Sequence, residues 1–169
     1  MITNGRLLSL ILLVAFSGCS SVWKAPPDAS ADNLSLSSAN APLPVEARRA
    51  RIAFAYEPLK TIRAGERTSV HLLVTNLGSV VWTYSGDRSG KYEIRVGNHW
   101  IDRNGNAKDD GRGSLPYDLR PGDTAEILIL INAPETTGEY TLEFDMVQEQ
   151  VGWFGDSASE KLRLNVAIE

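Results

Sequence analysis

Cysteine and histidine are nearly absent from this chain. One Cys and two His among 169 residues rule out an internal disulfide framework and a cysteine-based zinc cluster, and leave little imidazole for acid–base or metal chemistry. A surplus of positive charge is missing too. Lys and Arg number 17 against 21 Asp and Glu, a formal charge of −4, which gives no basic footprint for nucleic acid. Long apolar runs are confined to one stretch, Leu7 to Phe16, too short to span a bilayer as a helix. What the chain has in quantity is turn residues, with 14 Gly and 8 Pro, and apolar residues spaced two apart. The length fits one domain with a tail.

Arg6 and the α-amino group precede the apolar run LLSLILLVAF, which has the length of a signal-peptide h-region. Phe16-Ser17-Gly18-Cys19 follows, and Cys19 is the only cysteine. Small residues just ahead of a cysteine resemble the lipobox of bacterial lipoproteins, although Phe16 stands where that family usually carries Leu. The resemblance implies cleavage after residue 18, a lipidated Cys19 bearing palmitate-type acyl chains, and, with Ser20 rather than Asp next, the outer membrane. Two or three acyl chains anchor stably where one is marginal. Cleavage removes Arg6 alone among the charged residues, so the remaining chain has no electrostatic attraction to an anionic surface. The expected location is an outer-membrane lipoprotein with its folded domain in the periplasm or at the cell surface.

Ser20 to Glu46 holds six Ser, five Ala and four Pro with little apolar periodicity. Such composition does not bury enough surface to offset ordering entropy, so residues 19–46 read as a lipidated Cys and a flexible linker. A coil of that length reaches roughly 25–35 Å. Residues 47–169 then form the folded domain. Apolar residues alternate at Ile52, Phe54 and Tyr56; at Val70, Leu72 and Val74; and at Tyr92, Ile94 and Val96. They alternate again over Ala125 to Ile131, Tyr140 to Met146 and Leu162 to Ile168. A short run, Val80 to Tyr84, carries Trp82, and His99-Trp100-Ile101 continues or starts a strand. Gly, Pro, Asn or Asp marks nearly every boundary, and no window sustains helical spacing. This pattern predicts an all-β fold, an immunoglobulin-like antiparallel β-sandwich of seven to eight strands held without a disulfide.

Chemistry-bearing features are few. Asp102 to Gly111 reads as one loop rich in oxygen donors, but Gly105 is fourth and Gly113 twelfth, where a calcium loop needs Gly sixth and Glu twelfth. No metal or cofactor is expected. His71 lies opposite Val70, Leu72 and Val74 and faces solvent. His99 is placed to stack or hydrogen-bond beside Trp100. Glu143 and Asp145 read as a solvated pair of like charges on a strand face, and no nucleophile or acid–base arrangement emerges. The chain does not read as an enzyme.

Aromatic residues carry the ligand hypothesis. Trp153 and Phe154 lie between Gly152 and Gly155. Exposed, they form a stacking platform for a sugar ring or a partner's apolar side chain; buried, they plug one end of the sandwich. Trp100 poses the same alternative. Arg112 and Arg120 flank Leu115 to Leu119, within reach of Asp118 or a ligand carboxylate.

Taken together, His99 to Asp102, Gly105, Asp110-Gly111-Arg112, Leu115-Pro116, Leu119, Pro121-Gly122, Ala133-Pro134, Gly138, Tyr140, Leu142, Asp145 to Glu149 and Trp153-Phe154 resemble a family of bacterial immunoglobulin-like accessory domains. Such domains occur beside glycosyltransferases and other surface-polysaccharide proteins. The resemblance implies the same sandwich and a non-catalytic role near carbohydrate. The expected function is therefore a membrane-anchored module binding envelope glycan. Trp100, Trp153 and Phe154 stack on sugars in that reading, and Arg112 and Asp102 orient polar groups. The alternative is an assembly module that docks an envelope protein.

Overall fold

The computed structural model describes residues 38–157 and 159–169. The expected signal peptide, Cys19 and the linker as far as residue 37 lie outside the described residues. In chain order the strands are β1 (Ala50–Phe54), β2 (Thr61–Ile62), β3 (Arg67–Asn76), β4 (Ile94–Ile101), β5 (Ala107–Ser114), β6 (Thr124–Asn132), β7 (Gly138–Gln148), β8 (Gly152–Trp153) and β9 (Leu162–Ile168). A three-stranded sheet of order β1-β3-β6 faces a six-stranded one of order β2-β9-β7-β4-β5, in which β8 also pairs with β7. All pairings are antiparallel except β2 with β9. The expected all-β sandwich is the architecture the chain adopts, with nine strands where seven to eight were expected. Among the described residues no helix is long and apolar enough to cross a membrane.

Alternation decides which side chains meet between the sheets. Leu72 and Val74 of β3 and Ile127, Ile129 and Ile131 of β6 point inward from one sheet. Ile94 and Val96 of β4, Leu142, Phe144 and Met146 of β7, and Val166 of β9 point inward from the other. Trp82 is fully buried among them, its ring edge-on to Phe154 at 5.2 Å. The run around Trp82 is one bridge to Leu119 rather than a strand, closed by two backbone bonds of 2.9 Å. Asn76, itself fully buried, sets up that bridge. Its Nδ2 donates to the carbonyls of Val80 and Leu119, and its Oδ1 accepts from Gly78 N.

Two expectations are corrected. The ordered body begins before residue 47. Leu43 is 4% exposed and joins the core, and its N–H donates to Gln148 Oε1 at 2.8 Å while Gln148 Nε2 donates to the Ala41 carbonyl at 3.0 Å. Composition alone hides this, because one buried leucine and one glutamine suffice to fasten the segment. Second, the oxygen-rich stretch after Trp100 is not a single loop. It is a tight turn at 102–106 followed by β5, whose Lys-Asp-Asp-Gly-Arg sequence shows no apolar alternation.

β5 also runs close against β6 across the sandwich seam. A Cβ on Gly111 would overlap the Leu130 carbonyl oxygen, and one on Gly113 would press on Ile127 Cγ2 and Leu128 O at 2.8 and 2.9 Å. Glycine is required there by close backbone approach. Gly111→Ala is expected to lower stability by about 1–3 kcal/mol through overpacking, and Phe154→Ala by about 3–5 kcal/mol through the cavity beside Trp82. Equilibrium urea unfolding reads both.

Candidate ligand-binding face

The outward face of the six-stranded sheet carries the polar side chains that alternate with the core. Strand register sets them in rows across the sheet. One row runs Ala107, Ile101, Thr141, Asn165, and the next Asp109, His99, Glu143, Arg163. A third places Arg112 beside Gly97 and Asp145, and a fourth places Ser114, Arg95, Val147 and Trp153 together.

Trp153 lies across the middle of this face. A Cβ at Gly97 would sit 2.6 Å from Trp153 Cη2, so only glycine in β4 lets the indole lie down on the sheet. His99 flanks the ring at 4.3 Å, tilted by 54°, and the Arg112 guanidinium lies over it at 4.7 Å, a cation–π arrangement. Arg112 is held in turn. Its Nη1 and Nη2 donate to the two Asp109 oxygens at 2.6 and 2.7 Å, its Nε donates to Glu149 at 3.1 Å, and Nη1 also donates to the Gly111 carbonyl. The guanidinium holds the Asp109 carboxyl below its ordinary pKa. Arg112 therefore pairs with Asp109 and Glu149, not with Asp118. His99 is pushed below its ordinary value chiefly by burial, and its Nδ1 stands 3.9 Å from Glu143.

Glu143 and Asp145 are not solvated, contrary to the expectation for this strand. They are 4% and 0% exposed: the side chains of Lys161 and Arg163 close on Glu143, and the turn at Gly155 closes on Asp145. Burial raises the Glu143 pKa, but hydrogen bonds from Arg163 at 2.7 Å and Lys161 at 3.0 Å outweigh it and leave the carboxyl below its ordinary value. Asp145 has weaker compensation. It accepts from Met146 N at 2.7 Å and Gly155 N at 2.9 Å, yet burial pushes its pKa up to about 6. Through Gly155 this carboxyl holds the turn that presents Trp153.

The five residues singled out from sequence divide by the sheet's two sides. Trp153 and Arg112 meet on the outward face. Asp102 lines an open groove of about 340 Å³ at one end of that face, with Ile101, Arg103, Glu139, Tyr140, Thr141 and Asn165. Its carboxylate is turned to its own loop, accepting from Asn104 N, Asn106 N and Asn106 Nδ2 at 2.8–2.9 Å. Trp100 and Phe154 are corrected to core positions. They are 2% and 0% exposed, Trp100 donates its Nε1 to Asp110 at 3.3 Å, and neither offers a ring face. Sequence reasoning passed over Gly97, Arg95, Glu93 and Glu149. A glycine inside the alternating β4 pattern was the available signal for close approach; the charged residues carried none. Among the described residues, no three His, Cys, Asp or Glu side chains converge as a metal site requires.

No protein-family model matches the chain, and no curated protein matches it. Solved structures do. The CARDB domain of a Pyrococcus furiosus protein, in complex with di-metal ions, is 12% identical over 72% of this chain and 86% of its own, with a TM-score of 0.43. The sporulation control protein Spo0M of Bacillus subtilis is 11% identical, covering 72% and 49%, with a TM-score of 0.40. A mutant β-glucosidase of Listeria innocua, in complex with laminaribiose, is 8% identical, covering 72% and 16%, with a TM-score of 0.45.

The raised pKa of Asp145 has a definite sign. Its folded-state value of about 6 lies above the ordinary 3.8, so the folded chain binds this proton more tightly than the unfolded one. The resulting stability is fully present below the ordinary value and is lost as pH rises through about 6. Asp145→Asn is expected to match the wild type near pH 3 and to exceed it at pH 8 by about 3 kcal/mol. Urea unfolding of both proteins across that range measures the difference.

Proposed function

We propose that this chain is an outer-membrane lipoprotein, anchored through Cys19, whose β-sandwich binds an envelope glycan without catalysing its turnover. The observation that carries the reading is the half-buried Trp153 lying on the outward face between His99 and Arg112. Polar grooves open on either side of it. One is lined by Asp102, Arg103, Tyr140 and Asn165, the other by Ser89, Glu93, Arg95, Arg112 and Gln150. A row of hydroxyl, carboxamide, guanidinium and carboxylate groups around an aromatic ring suits an extended polyhydroxylated chain. From Arg95 to Ile101 the face runs about 20 Å, room for several sugar residues in line. Its central rows stand on paired strands.

A specific observation favours a second reading. Leu73, Leu128 and Leu130 are 38%, 50% and 40% exposed, and register places all three on the outward face of the three-stranded sheet. Such a patch suits an apolar protein partner.

One set of variants separates the two. Full-length protein in detergent is passed over immobilised envelope polysaccharide fragments. Trp153→Ala is expected to weaken retention at least tenfold with little change in melting temperature, and Trp153→Phe less. The paired change Leu128→Ser with Leu130→Ser is expected to leave retention intact. Undiminished retention by a folded Trp153→Ala protein would sink the glycan reading. Loss of a co-purifying envelope protein in the double leucine variant, without glycan retention by any form, would establish the second.

A further inference from the structure

One group on the same face is chemically unfinished. A guanidinium has five N–H donors. Those of Arg112 are largely taken up by Asp109, Glu149 and the Gly111 carbonyl. Arg95 differs: among the described residues it makes one hydrogen bond, Nη2 to Glu93 Oε2 at 2.6 Å, and its Nε is buried with no partner. A buried donor left unpaired is costly, and the rest of the side chain, 34% exposed with only Nη2 engaged, lines an open groove of about 460 Å³ with Glu93, Asp109, Asp110, Arg112 and Glu149.

The charges in the groove narrow what fits. Four carboxylates stand against two guanidinium groups, so a polyanion is repelled. A metal ion is not favoured either, because Asp109 is paired with Arg112, and Asp110 accepts from Asn98, Trp100 and Asn132. What remains is a group that accepts and donates at once. Adjacent hydroxyls of a neutral sugar do both, taking N–H bonds from Arg95 and giving O–H bonds to the carboxylates beside it.

We infer that this groove is a subsite for a neutral hexose bearing a vicinal diol, with Arg95 as the donor that orients it and Glu93 and Glu149 as acceptors. The inference rests on the glycan reading and adds the sugar class to it.

The test uses full-length protein in detergent on immobilised mannan, galactan and dextran, with polygalacturonate as the acidic counterpart. The wild type is expected to be retained by at least one neutral polymer and to lose that retention after periodate cleaves the polymer's vicinal diols. Arg95→Lys and Arg95→Gln are each expected to weaken retention at least tenfold, with melting temperature and tryptophan fluorescence unchanged. Preference for polygalacturonate, survival of binding after periodate, or full retention by both Arg95 variants while Trp153→Ala loses it, overturns the neutral-diol subsite and leaves the glycan reading standing. Retention of the wild type by none of the four polymers overturns both.

Discussion

Strand β7 is buried on both sides, and the rest of the molecule is arranged around that constraint. One side gives the core Leu142, Phe144 and Met146. The other gives Glu143 and Asp145, which in an antiparallel strand would ordinarily face water. Burying two carboxylates is tolerable only where each finds donors. Glu143 has Lys161 and Arg163. Asp145 has two backbone amides. All of these donors but Met146 N come from the chain after β7, and the turn that brings Gly155 N to Asp145 also delivers Trp153 to the outward face.

The fold-back uses consecutive residues in opposite senses. Phe154 N donates to the Met146 carbonyl at 2.8 Å, and its ring turns inward against Trp82, while Trp153 turns outward over Gly97. The same division runs along β4, where Trp100 is core and His99 touches the indole. Surface chemistry and core packing are thus fixed by one backbone course. Core effects and surface effects of a change here are therefore separated by measuring folding and binding together.

The sandwich was legible in the alternation of β3, β6, β7 and β9, because period two with one apolar face is the direct imprint of a half-buried strand. β5 escaped notice because its inward contacts are made by Gly111 and Gly113, which have no side chains to alternate. The docked segment at Leu43 escaped because its fastening is a hydrogen-bond pair with Gln148, 105 residues away. At the candidate face the aromatic pair between glycines drew attention, and Trp153 and Arg112 indeed meet there. Which member of the pair faced outward depended on the pairing of β8 with β7, invisible in local sequence. Glu143 and Asp145 looked solvated because polar alternation says so, and only the segment crossing above them reverses it. Arg95 belongs to no motif; its unpaired Nε exists only in three dimensions.

The clip at Leu43 has a mechanical meaning. Its two hydrogen bonds join the segment ahead of β1 to the far end of β7, and Leu43 itself is seated in the core. A pull applied on the N-terminal side of this point loads the Gln148 amide and the leucine's socket before any tension reaches the β1–β3 ladder. Release of these two side-chain bonds would break no hydrogen bond of the strand ladders.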